Sequence, residues 1–357
     1  MAPIPKAIPK EKIKAAILLP LTGPHAALGR AMLNAAEQAV FDVADANFEL
    51  QSYDTAAVGG AQAAAQAVID GGPQLIIGPL FASDVPSVKL VAQIHGLSMM
   101  PLSTDTTLAD QGVYVMGLAP EPQVERVVAF AAAHGLRKFA ALVPATPYGA
   151  LVGEVFRRAV AQNGGQLVAF EIFEPQTLEA KVQKLAVQKD SIDALFLPES
   201  GPSLSVLVNA LSTAGISPSR TRVLGTGIWD VPGLGRSQPF LIGAWYAAPD
   251  SMLRRNFITR YVASYNREPP RLATLAYDAT ALAAILAKQG SRYDEPSLTN
   301  PNGFAGLDGI FRLKPSGKVE RAMAINELAQ DGVRVIDPAP TTFVLSPFRE
   351  NLGPSGR

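Results

Sequence analysis

From Lys12 onward, short apolar runs alternate with longer stretches in which apolar residues recur every three to four positions. The run Ile13 to Leu19 predicts a strand, and Met32, Leu33, Ala36, Val40 and Val43 follow at helical spacing. A strand over Phe48 to Tyr53 leads to an alanine-rich helix from Val58 to Asp70, stopped by Gly71-Gly72-Pro73. The buried strand Leu75-Ile76-Ile77, a helix from Ser83 to His95, a strand over Leu97 to Met100 and another over Val113 to Met116 continue the series. Strands alternating with amphipathic helices predict an α/β chain whose parallel sheets are covered on both faces.

The proline pair in Leu118-Ala119-Pro120-Glu121-Pro122 interrupts this winding, and a second one begins. It comprises a helix from Gln123 to His134, a strand Lys138 to Val143, a helix from Leu151, a strand Gln166 to Phe170 and a helix from Leu178. A strand Asp193 to Leu197, a helix Leu204 to Ala214 and strands near Val223 and Leu241 complete it. Both windings open on the same phrase, a strand, a proline and a threonine loop: Ile17-Leu18-Leu19-Pro20-Leu21-Thr22-Gly23 and Ala141-Leu142-Val143-Pro144-Ala145-Thr146-Pro147. Two similar lobes facing one another across a cleft are therefore expected.

Two helices then follow without a strand between them, one carrying Phe257, Tyr261 and Tyr265 and the other Leu272, Leu275, Ala279, Leu282 and Leu286. Such a pair covers a sheet already made, so the chain is expected to return to the first lobe near Ala248-Pro249. Residues Gly306 to Val335 read as antiparallel strands with tight turns at Lys314 to Lys318 and at Gly332. The expected division is a linker over 1–11, a first lobe over 12–119 and 249–305, a second over 120–248 and 306–337, and a loosely held tail over 338–357. The fold class is two Rossmann-like, doubly wound lobes joined by three crossovers.

Composition narrows the function. Lys and Arg number 31 against 31 Asp and Glu, so no positive field gathers nucleic acid. Cysteine is absent, which removes disulfides, thiolate nucleophiles and Cys-based metal sites. No apolar run approaches the roughly 18 residues that span a bilayer, so no transmembrane segment is expected. The opening MAPIPKAIPKEK lacks a signal-peptide core and reads as linker of the kind that follows a removed leader or lipid-anchor segment.

In doubly wound sheets, ligands lie beyond the carboxyl ends of the strands. Here those loops are Pro20 to Gly29, Gly78 to Asp84 and Pro101 to Asp105 in the first lobe, and Pro144 to Gly149, Pro198 to Ser203 and Gly225 to Asp230 in the second. They offer Thr22, Ser83, Ser103, Thr104, Tyr148, Glu199, Ser200, Trp229 and Asp230 as ligand contacts. Ser and Thr at such turns also cap helices, and the two roles can coexist. Tyr148 can close over a ligand, and Trp229 can serve as lid, wall or packing. Asp54 reads as the cap of the turn from Thr55 to Gly60. His25, His95 and His134 lack metal-ligand spacing, Gly225-Thr226-Gly227 lacks the third glycine of a dinucleotide fingerprint, and no nucleophile elbow or phosphate loop occurs. No catalytic residue, metal or cofactor is expected, and the chain is not read as an enzyme.

These residues carry a resemblance over roughly 12 to 335: the chain resembles the type I periplasmic binding proteins, in particular the Leu/Ile/Val-binding substrate-binding family of ABC transporters. The opening Ile17 to Pro24 with Gly29, Ile76-Ile77-Gly78-Pro79, Met100-Pro101 to Thr104, Pro147-Tyr148-Gly149 and Gly309-Ile310-Phe311 to Gly317 carry it. The resemblance implies hinged closure of two lobes around a small molecule, without catalysis, and an ABC transporter permease as partner. It places carboxylate-binding positions at Ala82 or Ser83 and at Ser103 and Thr104, and the closing tyrosine at Tyr148. The acidic residue that pairs with a ligand ammonium in amino-acid binders falls near Gly227, where no carboxylate stands. Asp230 or Glu199 could replace it only from rearranged loops, which argues against an α-amino acid. Leu18 to Gly23, Tyr53-Asp54-Thr55 and Ile77-Gly78-Pro79-Leu80 are also similar to the lipoprotein activators of penicillin-binding proteins, which act by contact with a peptidoglycan synthase. Either resemblance implies a periplasmic protein, free or held by a lipid anchor.

Overall fold

The computed structural model describes residues 12–290 and 292–343, and only the backbone of residues 251–253. The expected linker over 1–11 and residues 344–357 of the tail expected over 338–357 lie outside the described residues. The described residues form two compact units. One holds 12–118, Ser251–Arg321 and 341–343; the other holds Ala119–Asp250 and Ala322–Pro340.

The first unit winds through β1 (Ile13–Leu19), α1 (Ala26–Val43), β2 (Phe48–Asp54), α2 (Gly60–Gly71), β3 (Leu75–Ile77), α3 (Val85–Ile94) and β4 (Ser98–Met100). The strands form a parallel sheet in the order β2-β1-β3-β4. Successive side chains of a strand point to opposite faces, and β1 uses both: Ala15, Ile17 and Leu19 enter one core, Ala16 and Leu18 another with α2 and α3. The expected strand over Val113 to Met116 does not form a ladder. Tyr114 and Met116 donate to the carbonyls of Met99 and Pro101, while Val115 donates to Gly317, so the segment divides its hydrogen bonds between two neighbours.

Within Ser251–Arg321 lie α9 (Ser251–Tyr265) and α10 (Ala273–Lys288). They are the strandless helical pair expected to cover an existing sheet, and α10 is buried along nearly its whole length. In the second unit, α4 (Pro120–Ala133), β5 (Lys138–Pro144), α5 (Pro147–Gln162), β6 (Gln166–Phe173), α6 (Leu178–Val187) and β7 (Ala194–Phe196) repeat the winding. It continues through α7 (Gly201–Thr213), β8 (Arg222–Gly225), α8 (Leu234–Ser237) and β9 (Trp245–Ala248). α4 starts earlier than expected because Pro120 and Pro122 occupy its first turn, where a missing N–H leaves no hydrogen bond unmade. The strand expected near Leu241 lies at β9 instead, after a short 3-10 turn over Pro239–Leu241.

The first unit also holds α11 (Glu295–Leu298) and the antiparallel sheet of β10 (Phe304–Gly306), β11 (Gly309–Leu313) and β12 (Val319–Arg321). Residues 306–321, expected in the second lobe, therefore belong to the first, for two reasons. Phe311 and Leu313 complete its core. The buried guanidinium of Arg321 lies 2.8 Å from the Asp278 carboxylate of α10 and over the Phe311 ring. Asp278 also accepts the Leu307 N–H at 2.7 Å, and a Cβ on Gly306 would stand 2.6 Å from its carboxylate. Beside it, Asp308 accepts from Arg271 and from the Thr274 hydroxyl. The chain enters the second unit only after this buried network, adding β13 (Ala324–Ala329) and β14 (Gly332–Asp337) antiparallel to one edge of a seven-stranded sheet, β14-β13-β9-β8-β7-β5-β6.

Removing one member of a buried ion pair strands the other without solvent, which costs about 3–5 kcal/mol. Asp278→Ala is expected to destabilise the first unit by about that amount in urea unfolding. Lys89→Ala, which breaks a pair whose Asp110 side chain is 52% exposed, is expected to cost less than about 1 kcal/mol. Equal effects would contradict the role given to the buried pair.

Candidate functional site

The duplicated strand-proline phrase has one geometric cause. A Cβ on Gly29, in the first turn of α1, would lie 2.0 Å from the Pro20 carbonyl oxygen, and one on Gly149, in the first turn of α5, 2.0 Å from that of Pro144. Only glycine permits this approach of helix to strand end. It fixes where each loop leaves its sheet.

In the first unit the loop after β1 is fastened by Asp54, at the end of β2. Its carboxylate accepts the Leu21 N–H at 2.8 Å, the Thr22 hydroxyl at 2.6 Å and the Ala56 N–H at 2.9 Å. The expected turn cap is thus also a tether between two loops. Burial pushes the Asp54 carboxyl up, but the Thr22 hydroxyl and the surrounding amides outweigh it and hold the group below the usual carboxylate range. Thr22 is exposed, with its hydroxyl committed to Asp54 rather than to a helix cap.

The other two loops of this unit bind each other. Gly78 donates to the Met100 carbonyl at 2.8 Å and Leu102 to that of Pro79 at 3.0 Å. Gly78 adopts φ +94°, and a Cβ there would meet the Leu18 carbonyl at 2.4 Å. Ser83 is exposed, with its hydroxyl 3.5 Å from Asp84; burial raises the Asp84 carboxyl, opposed by that contact. Ser103 is turned inward, 7% exposed, and its hydroxyl oxygen accepts the Asp105 N–H at 3.0 Å. Thr104, next to it, is exposed. Ser83 and Thr104 are the open hydroxyls of this group, while Ser103 shapes the turn.

In the second unit the loop after β5 is shorter than expected. Thr146 caps α5, its hydroxyl oxygen accepting the Gly149 N–H at 3.1 Å, so Tyr148 lies in the first helical turn rather than on a loop. The Tyr148 hydroxyl is 2.7 Å from the hydroxyl of Thr226, which is fully buried just beyond β8. Burial raises the Tyr148 phenol to about 12, partly offset by the Thr226 bond and reinforced by the Glu199 charge. Tyr148 therefore remains a neutral hydroxyl at physiological pH.

Trp229 is not a lid. It is fully buried, its ring lies where a Cβ on Gly225 would be 2.4 Å away, and it meets Tyr246 edge-on. Its indole N–H donates to the Glu199 carbonyl at 2.9 Å, tying the loop after β7 to that after β8. The Glu199 carboxylate accepts the Ser200 N–H at 2.9 Å, and Asp230 is half-buried with its N–H on the Gly227 carbonyl. Gly227 donates to the buried carboxamide oxygen of Gln123 at 2.7 Å, and a Cβ at 227 would approach that oxygen to 3.0 Å. Gln123 thus fills the space into which a side chain at 227 would start.

Sequence reasoning missed Thr226, Gln123 and the tethering by Asp54. The flanking glycines of Gly225-Thr226-Gly227 were the available signal for Thr226: they mark close packing against Trp229 and Gln123, not a nucleotide loop. His25, His95 and His134 are exposed, and among the described residues no group of three or more His, Asp or Glu could hold a metal.

Comparison with known proteins identifies the family and the fold. The periplasmic binding protein family model matches residues 12–332. A putative branched-chain amino acid ABC transporter protein from Rhodospirillum rubrum superposes with a TM-score of 0.81 at 18% identity, covering 91% of this chain and 100% of that one. The LpoA C-domain from Haemophilus influenzae, a regulator of PBP1A, gives 0.71 at 20% identity over 90% and 99% of the two chains. A solute binding protein from Rhodopseudomonas palustris in complex with 3,4-dihydroxybenzoic acid gives 0.65 at 19% identity over 94% and 99%. At these identities the likeness is one of fold. An uncharacterised protein of Rickettsia prowazekii is 23% identical over 212 residues, so the match spans 57% of this chain and 57% of that relative's length. The chain belongs to the periplasmic binding protein family and has its type I fold.

A lowered carboxyl contributes stability that is complete above its ordinary pKa and is lost as pH falls through the lowered value. The amides of Leu21, Thr22 and Ala56 are therefore expected to be fully protected from hydrogen exchange above the ordinary carboxyl value of 3.8 and to lose that protection only as pH falls below it, through the lowered value of Asp54. In Asp54→Asn the acid-dependent step is expected to vanish. Persistence of that step in the variant would remove Asp54 as its cause.

Proposed function

We propose that this member of the periplasmic binding protein family is a non-catalytic extracytoplasmic solute-binding protein. It takes a small polar ligand on its strand-end loops, for delivery to an ABC transporter permease or for signalling. The family match across residues 12–332 carries this reading. The contacts proposed are Thr22, Ser83 and Thr104 in the first unit, their loop shaped by Ser103, and Tyr148, Glu199, Ser200 and Asp230 in the second, with Thr226 holding the Tyr148 hydroxyl. Hydroxyls and backbone amides predominate among them, a set suited to orienting a polar solute by hydrogen bonds. The family implies an extracytoplasmic location, and the periplasm, with or without a lipid anchor, is the compartment proposed. No helix among the described residues is long and apolar enough to cross a membrane.

The likeness to the LpoA C-domain favours a second reading, in which the chain activates a penicillin-binding protein, a peptidoglycan synthase, by direct contact.

Mass spectrometry of the denatured purified protein, followed by thermal-shift screening, separates the two. Solute binding predicts a released or screened small molecule that raises Tm saturably, since a ligand at 100 times its Kd adds about 2.7 kcal/mol. Tyr148→Ala is expected to weaken that molecule by about 1–3 kcal/mol in calorimetric titration while leaving the fold intact. Silence across a broad solute library, together with capture of a purified peptidoglycan synthase, would overturn solute binding in favour of the activator reading.

A further inference from the structure

The second unit contains a cavity of about 660 Å³ between the start of α7, the turn Gly227–Trp229 and α8. That volume falls within the roughly 300–1,000 Å³ typical of small-molecule sites. Neither Tyr148 nor Thr226 lines it, so it is distinct from the hydroxyl pair of the strand-end loops, with which it shares only Ser200 among the contacts proposed above.

Its lining decides what it can hold. Leu204, Ile228, Val231 and Leu234 supply apolar walls, and the cavity reaches down to Trp229, which exposes no surface of its own. The Trp229 indole N–H is already committed to the Glu199 carbonyl, so it adds no free donor at that end. No Lys, Arg, Asp, Glu or His lines the space. An ion entering it would lose hydration without gaining a charged partner, which is strongly unfavourable.

The polar groups are few and already oriented. Gln238 donates its carboxamide N–H to the Ser205 hydroxyl oxygen at 2.5 Å. A serine that accepts in this way keeps its own O–H as a donor, and the Gln238 carbonyl oxygen is an acceptor. The Ser237 hydroxyl donates to the Leu234 carbonyl at 3.1 Å, so its oxygen can only accept further. With the second Gln238 N–H and the Ser200 hydroxyl, which also lines the space, these groups offer both donors and acceptors to hydroxyl or carbonyl groups on an otherwise apolar body. Val231, 49% exposed, lines this cavity and offers apolar surface that such an occupant would cover.

We infer that this cavity is a second binding site, specific for a small uncharged molecule with an apolar ring or branched body bearing a hydroxyl or carbonyl group. It goes beyond the solute-binding reading and does not require it.

The probes are p-cresol and 4-methylbenzoate, similar in body but neutral and anionic respectively at pH 7. In nitrogen-15 NMR titrations of the full chain, p-cresol is expected to shift the Trp229 indole and Gln238 carboxamide signals saturably, and 4-methylbenzoate to bind at least tenfold more weakly. Val231→Trp, which fills the cavity from a half-exposed position, is expected to abolish the p-cresol shifts. Gln238→Leu, which retains bulk but removes the polar anchor, is expected to weaken them about tenfold. Tyr148→Ala is expected to leave them unchanged, so failure here and failure of the strand-end site are distinguishable. No saturable response to p-cresol, equal binding of the two probes, or wild-type binding by a folded Val231→Trp protein would each overturn the inference.

Discussion

The contact on which both units depend is the approach of a strand-ending proline carbonyl to a glycine in the first turn of the next helix. At Pro20 and Gly29, and again at Pro144 and Gly149, any side chain on the glycine would overlap the carbonyl oxygen. This sets each helix close to the carboxyl end of its leading strand and directs the intervening residues outward. Thr22 and Tyr148 owe their places to it. The approach alone leaves those loops free to move, so each unit adds its own fastening: a carboxylate in the first, Asp54, and a buried hydroxyl in the second, Thr226. The same backbone device is thus completed by different side-chain chemistry.

Much of this was legible in the sequence because the winding rests on backbone periodicity. The continuous apolar runs of β1 and β5, buried on both faces, and the recurrence of apolar residues along the helices are local signals. The helical pair that follows β9 announced itself by the missing strand. The assignment of 306–321 failed because it depends on partners distant in sequence: Arg321 finds Asp278, and Phe311 finds a core shared by residues 12–118 and α10. A hairpin pattern reveals strands but not the sheet or core they join. Leu241 misled for the opposite reason, since an apolar residue fully buried in a short turn carries the same local signal as one in a strand.

The candidate site was legible as a set of loops but not as a set of contacts. Ser103 and Trp229, offered as ligand contacts, are turned into the structure, and what each stabilises is a loop: Ser103 its own turn, Trp229 the junction between Glu199 and Gly225. Glycines at 225 and 227 make sense only once the Trp229 ring and the Gln123 carboxamide are seen beside them. In the first unit this leaves Ser83 and Thr104 as exposed hydroxyls of the strand-end loops, and in the second the Tyr148 hydroxyl stays neutral and paired with Thr226. Such loops fit a family whose members share a fold while differing in what they hold.

The most direct test of the account is amide hydrogen exchange of the full chain with and without the solute that raises its Tm. Added protection confined to Gly78 to Asp84, Pro101 to Asp105, the first turn of α5, and the loops after β7 and β8 is the predicted result. Protection elsewhere with none in these segments would contradict the claim that the strand-end loops are the binding surface.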